Sequence, residues 1–389
     1  MKVIKAAAFV IFFTKIILSQ TTTIEINPLY LAQGFSIPSL SSFGTSDITN
    51  DVWNIGLLNP ASLSRYNNFM AGLTYQYETK IDDAIGSGIG HERYEYEVPQ
   101  SFGMILPAIG FNFVVSFQQL YNSHLDFGKI PITNIENPDG TGEYYEPDFR
   151  TRLYSFSLGV SYMFNNIFDE NSFAVGARVS KNNLSYEEKL FDNSLKATSS
   201  DISWATGIVY ELALNTCKFI RTGLFYENNV SINMLADYED TNYGIRPVDT
   251  LSLNIVPYSA RIKAQKPSKL KLDIETNYLD DFLFQLGAGI VFWNDVNSNI
   301  NNQLELSGSS VYGLSDDLNV SLGFFYTDKT FKDDQSDFLD KFTAVFITAG
   351  LNYALHPLKI GLAIADSHLL SDEWRKQTIA KIGIDVEIL

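Results

Sequence analysis

The chain has 389 residues, and its 45 acidic against 28 basic side chains give a formal charge of −17. That balance disfavours nucleic acid as a partner, because phosphate binding needs a basic footprint. The single cysteine, Cys217, excludes an intramolecular disulfide framework and a cysteine-clustered zinc site, and a content of 45% apolar and 19% charged residues excludes a disordered acidic tail. Residues 1–19 read as a secretory signal peptide. The basic start Met1-Lys2-Val3-Ile4-Lys5 leads into the apolar run Ala6 to Phe13, then Ile16-Ile17-Leu18 and the small residue Ser19. Cleavage there removes three lysines and no acids, which leaves a charge of −20. No later stretch reaches the ~18 consecutive apolar residues of a membrane helix. An exported chain of this kind is either soluble or a closed barrel.

Residues 20–68 show no alternation. They contain Tyr30-Leu31-Ala32-Gln33-Gly34-Phe35-Ser36, a Ser/Gly-rich stretch to Gly44, and Asn59-Pro60-Ala61-Ser62-Leu63. Pro60 fixes its own φ and keeps Asn59 out of the helical region, so a turn is expected there.

From residue 69 onward a period of two dominates. Tyr154, Phe156, Leu158, Val160, Tyr162 and Phe164 alternate with Ser155, Ser157, Gly159, Ser161 and Met163. Trp204, Thr206, Ile208, Tyr210 and Leu212 alternate with Ala205, Gly207, Val209 and Glu211. In a strand the two sets point to opposite faces of the sheet. A soluble sandwich also alternates, but two details favour a membrane. The polar face is rich in Gly, Ser and Asn, as suits a lumen. The apolar face carries aromatics near strand ends, such as Tyr75, Tyr77, Tyr154, Phe164 and Tyr326, as an aromatic girdle requires. Many segments also run ~9–14 residues, the length that crosses a bilayer when tilted.

Fifteen candidate strands are counted, at 69–80, 100–107, 109–121, 151–164, 171–190, 200–214, 218–234, 253–264, 269–278, 282–293, 301–313, 317–328, 341–354, 357–366 and 376–388. A bacterial single-chain barrel normally has an even number, with short turns on one side and long loops on the other. Loop lengths alternate correctly forward to the turn Gln265-Lys266-Pro267-Ser268 and backward to Gly313-Leu314-Ser315-Asp316. The miscount is therefore assigned to 269–313, and the expectation is an all-β, antiparallel transmembrane barrel of about fourteen strands.

An Asn59-Pro60-Ala61 tripeptide after a glycine-containing N-terminal segment and before a barrel resembles the FadL/TodX family of outer-membrane transporters. It also looks like the related barrel of the type IX secretion system. The resemblance implies a barrel over 69–389, with residues 20–68 folded into its lumen as a hatch. It also implies a hydrophobic ligand, such as a long-chain fatty acid or a hydrocarbon.

No catalytic constellation, cofactor motif or metal set emerges, and the chain is read as a transporter rather than an enzyme. His91, His124, His356 and His368 are scattered through loops and turns, and Gly86-Ser87-Gly88-Ile89-Gly90 lacks the helix a dinucleotide site needs. If Tyr258, Ala260 and Ile262 face lipid, Arg261 and Lys263 face the lumen, where Arg178 joins them. These cations could hold the carboxylate of an amphipathic ligand, with Phe35, Leu40 and Phe43 taking its tail. The more economical reading pairs them with Asp273, Glu275 or Asp385. Acidic loops at 136–139, 237–240 and 333–337 could bind divalent cations or a protein partner, or simply be solvated. The expected partners are outer-membrane lipid, a hydrophobic small molecule and possible protein contacts at the outer loops. The competing function is a non-transporting barrel that acts as a protein-binding or secretion-associated anchor.

Overall fold

The computed structural model describes residues 25–26, 28–29, 52–82, 90–132, 141–165, 171–190, 193–215, 217–239, 259–279, 281–330, 343–370 and 376–388. The expected signal peptide, Tyr30 to Gly44 and the Gly86–Ile89 run lie outside these residues. In chain order the strands are β1 (Glu25–Ile26), β2 (Phe69–Glu78), β3 (His91–Tyr94), β4 (Ser101–Ala108), β5 (Phe111–Asp126), β6 (Ile130–Pro131) and β7 (Tyr144–Tyr145). They continue with β8 (Asp148–Phe164), β9 (Ser172–Leu190), β10 (Asn193–Ala213), β11 (Phe219–Glu227), β12 (Val230–Glu239), β13 (Ser259–Lys266) and β14 (Lys269–Thr276). The last six are β15 (Phe282–Val291), β16 (Gln303–Gly313), β17 (Leu318–Asp328), β18 (Ala344–Leu355), β19 (Leu358–Asp366) and β20 (Thr378–Ile388).

Fourteen of them, β2, β4, β5, β8 to β11 and β14 to β20, form a closed antiparallel barrel. Closure comes from β2 on β20, in register from Phe69↔Ile388 to Glu78↔Ile379. Closure leaves the barrel wall no free edge.

The alternation read from the sequence sets the two faces. Phe156, Leu158, Ile202, Trp204, Leu322 and Ile364 point outward and are exposed, whereas Ser155, Ser157, Ser203, Ser321 and Thr348 point inward and are buried. An exposed apolar belt is costly in water and favourable in lipid. Aromatic rings gather near the end with short turns: Phe111 lies 4.9 Å from Tyr162, and Phe282 lies 4.8 Å from Tyr312. Trp204 and Tyr226, 5.4 Å apart, stand toward the other end. This is the girdled, lipid-facing surface of a transmembrane barrel.

The strand count agrees with expectation, but the miscount lay elsewhere. The segments within 269–313 are three genuine wall strands, β14, β15 and β16. The surplus strand is in 218–266. The run 218–234 breaks at Asn228-Asn229 into wall strand β11 and a separate β12, and β12 pairs with β13 as an extra hairpin. β11 then pairs directly with β14, from Ile220↔Thr276 to Glu227↔Lys269. The turn at 267–268 therefore belongs to the long-loop end. The outer edge of β13 carries β1 in parallel, Glu25 opposite Arg261.

The hairpin also corrects the expected register of β13. Ile262 does not face lipid: it is fully buried, in one cluster with Ile232, Met234 and Ala264 and with Leu153, Leu184 and Leu195 of the inner wall.

Candidate functional site

The site is built around residues 52–66, which pack inside the barrel. Asn59 is extended (φ −56°, ψ 117°), and Pro60 opens a 3-10 helix over Pro60–Arg65. Pro suits that first position because its missing N–H has no partner there in any case. Asn59 Oδ1 accepts the Ala61 N–H at 3.0 Å, and the Ser62 hydroxyl donates to the Asn59 carbonyl at 2.7 Å. The turn expected from Asn-Pro is thus closed by its own side chains.

This turn meets the wall at two glycines. Gly176 and Gly207 face each other across β9 and β10. A Cβ on Gly176 would lie 2.5 Å from the Ala61 nitrogen, and one on Gly207 would overlap the Asn59 amide. Only glycine lets the turn approach this closely. Asn59 Nδ2 donates to the carbonyls of Ile208 (3.3 Å) and Leu224 (3.2 Å), on β10 and β11. Ala61 packs with Ala174 and Val209.

Three wall side chains hold the rest of the segment by its backbone. Arg178 Nη1 donates to the carbonyls of Leu58 (3.0 Å) and Ile55 (3.4 Å). Asn112 Nδ2 donates to those of Leu63 (2.5 Å) and Tyr66 (2.9 Å). Asp385 accepts the Val52 N–H at 3.4 Å. Val52, Ile55, Leu58 and Leu63 are buried with Ile105 and Val114 of the wall.

Beside the segment lies a small pocket of about 30 Å³. Leu57, Leu120, Phe225, Val291 and Trp293 form its apolar side, and Glu227, Lys266, Lys269 and Glu305 its charged side. The charges are matched: Lys266 lies 2.7 Å from Glu227, and Lys269 lies 2.8 Å from Glu305. Trp293 Nε1 donates to Gln303 Oε1 at 2.8 Å, and the Lys329 ammonium sits 3.7 Å from its ring centroid. A register shift between Gln119 and Tyr121 in β5 is a bulge that turns Leu120 inward as well.

The wall next to this pocket is incompletely zipped. β10 pairs with β11 up to Ala205↔Glu227, and with β12 only from Leu195↔Tyr238 onward. Between those points one backbone bond, Asn228 N–H to the Trp204 carbonyl (3.1 Å), is joined by side-chain substitutes: Asn228 Oδ1 accepts the Trp204 N–H (2.6 Å), and Asp201 Oδ2 accepts the Ser231 N–H (3.2 Å). The break at Asn228-Asn229 leaves a seam between β10 and β12.

Of the residues singled out from sequence, Asn59, Pro60 and Ala61 come together at the wall. Arg178 is lumenal and buried, and its guanidinium is directed at the segment's carbonyls, 5.8 Å from the Phe225 ring. The acids named as partners for these cations make the following contacts. Glu275 bonds Arg221, Asp273 lies 3.2 Å from Lys271, and Asp385 takes the Val52 amide. Lys263 is half-buried on β13, opposite Asn233. Arg261 contributes backbone pairing to Glu25 and Leu235. Its side chain and Phe35, Leu40 and Phe43 lie outside the described residues. The pocket residues Leu57, Phe225, Lys266 and Trp293 were missed, because no local pattern marks residues that meet only through barrel closure. Among the described residues no three His, Cys, Asp or Glu side chains are placed to hold a metal ion.

Comparison with solved structures decides the fold. A FadL homologue of Pseudomonas aeruginosa superposes with a TM-score of 0.57 at 12% identity, over 90% of this chain and 98% of that one. The Ralstonia pickettii toluene transporter TbuX superposes at 0.58 with 10% identity, over 91% and 100%. The Pseudomonas putida toluene transporter TodX does so at 0.53 with 11% identity, over 94% and 98%. The chain has a FadL-type fold. At the level of fold, the resemblance carried by Asn59-Pro60-Ala61 holds. No protein-family model and no curated protein sequence matches the chain. In this FadL-type barrel the tripeptide is the point where the lumenal segment is pinned to the wall.

Proposed function

We propose that the chain is an outer-membrane channel for small, uncharged hydrophobic molecules, with residues 20–68 as its hatch and 69–389 as its barrel. The pocket carries this reading. Its apolar side adjoins the lumenal segment, and its two lysines are each matched by a glutamate. A carboxylate ligand would have to displace one of those glutamates, whereas a neutral hydrocarbon disturbs neither. The toluene transporters of the same fold are consistent with such a solute.

The pocket volume sets the mechanism. Benzene occupies cavities of about 150 Å³, several times the space present here. A ligand therefore needs Leu57 to move, and with it the 52–58 part of the segment, while the Asn59 turn stays pinned at the glycines. The seam between β10 and β12 offers a sideways path from the same region, because few backbone bonds must break there.

The test is uptake by a host that lacks its own hydrocarbon channel, with radiolabelled toluene and oleate supplied in parallel. The expected result is toluene uptake several-fold above the empty vector and oleate uptake near background. Toluene uptake equal to the vector would sink the proposal. A second reading, a non-transporting barrel that anchors a protein partner at its outer loops, is favoured by the small pocket. It predicts no uptake of either solute.

A further inference from the structure

The outward face of β8, β9 and β10 changes character abruptly at the top of the apolar belt. The last belt row places Phe156, Lys181 and Ile202 side by side on the three strands, with Phe156 55% and Ile202 63% exposed. Above it the strands run on to Asp148, Leu190 and Asn193.

Alternation fixes which residues face out there. Ser180, Asn182 and Leu184 are buried, so Lys181, Asn183 and Ser185 face outward. By the same rule, buried Thr151 and Leu153 place Arg152 outward, and buried Leu195 and Ala197 do so for Lys196. Successive rows above the belt are Tyr154, Asn183 and Ser200, then Arg152, Ser185 and Thr198, then Arg150, Glu187 and Lys196. Lys189, opposite Asp148, completes the strip.

Within it five cations face two acids, Arg150 lying 3.4 Å from Asp148 and Lys196 3.7 Å from Glu187, and Glu95 and Glu97 border it on the β5 side. The surplus is positive on a chain whose formal charge is −17. Around the belt, the outward residues at the upper ends of β17 and β19 are instead Asp328 and Asp366.

We infer that this strip docks a phosphorylated lipid headgroup of the outer leaflet. The inference rests on the outer-membrane placement proposed above and is independent of transport. Acyl chains lie on Phe156, Leu158 and Ile202. The Lys181 stem runs along the two flanking apolar side chains and lifts its ammonium to headgroup level. Arg152, two rows higher, presents a guanidinium fork to the same phosphate layer. Asn183, Ser185, Thr198 and Ser200 offer amides and hydroxyls to the sugars. A basic strip above an apolar belt is complementary to an anionic amphiphile on both counts.

The probe is bisphosphorylated lipid A, titrated onto the detergent-solubilised full-length protein and read by native mass spectrometry. The same lipid with its phosphates removed runs alongside. The wild-type chain is expected to prefer the phosphorylated lipid by about tenfold or more. The combined Arg152→Ala, Lys181→Ala and Lys189→Ala variant is expected to lose that preference while keeping heat-modifiable migration on a gel. A Lys80→Ala and Lys129→Ala control is expected to retain it. Equal binding of the two lipids by the wild type overturns the inference without reference to any variant. Undiminished preference in the triple variant overturns it as well.

Discussion

The two sides of the barrel differ in height and in lining. Strands β5, β8, β9 and β10 have 16, 17, 19 and 21 residues, whereas β14 has 8 and β18, the longest of its group, has 12. About ten tilted residues cross a bilayer, so β14 to β20 end near its surface and the first group stands well above it. On the tall side the inner face carries Ala174, Gly176, Gly207 and Val209, small groups that let the lumenal segment lie backbone to backbone on the wall. On the short side Lys271, Asp273, Glu275, Glu305, Lys381 and Asp385 are buried. Buried charges need partners in fixed geometry, so that side behaves as a frame. The pinned turn rests on the small residues and the rigid frame on the ion pairs.

The largest expected effect comes from breaking the joint between the two sides. Arg221 on β11 reaches Glu211 of β10 at 2.6 Å and Glu275 of β14. Arg221→Ala leaves two carboxylates with fewer partners, and a loss of about 3 kcal/mol is expected. It is read as a lower temperature for the shift from folded to unfolded migration on a gel. Next comes the glycine contrast. Gly207→Ala drives a methyl into the Asn59 amide, whereas a Cβ on Gly289, on the short side, meets nothing closer than 3.5 Å. Overpacking of the first kind costs about 1–3 kcal/mol. Gly207→Ala is expected to dislodge the segment and raise leakage of small antibiotics, and Gly289→Ala is expected to leave both leakage and stability unchanged. Equal leakage from the two would refute a pinned segment. Arg178→Ala follows, at about 2 kcal/mol for the loss of a charged donor to two buried carbonyls. Its effect is expected in leakage, with barrel stability little altered, the reverse of Arg221→Ala.

The sequence foretold the barrel more fully than the site. Period two assigned the faces of nearly every wall strand, because in a membrane both faces are under strong selection by their surroundings. It failed above the belt. β10 begins at Asn193 rather than at 200, since Lys196, Thr198 and Ser200 face water or headgroups and break the apolar alternation. It failed again at 230–266. β12 and β13 bury one face just as a wall strand exposes one to lipid, so the same pattern fits either side of the wall and the inside was mistaken for the outside. In the site, Asn59-Pro60 was legible because proline acts on its own backbone. Trp293 was not, since its pocket partners lie on the lumenal segment, β5, β11 and β16.

The smallest effect tests the charge balance of the pocket, and it separates a channel for neutral solutes from one for acids. Glu227→Gln keeps the size of the side chain next to Lys266 and removes its charge. The pocket then carries one more positive charge than before, with Lys269 and Glu305 unchanged. A neutral solute gains nothing from that charge, so toluene uptake is expected to stay within about twofold. A carboxylate gains a charge-assisted hydrogen bond that it no longer contests with Glu227, worth about 1.4 kcal/mol, or about tenfold in binding. The measured quantity is the ratio of oleate to toluene uptake in cells expressing equal amounts of the two chains, and it is expected to rise. An unchanged ratio would mean that the solute does not pass this pocket. The tall wall would then hold the segment for some purpose other than gating it.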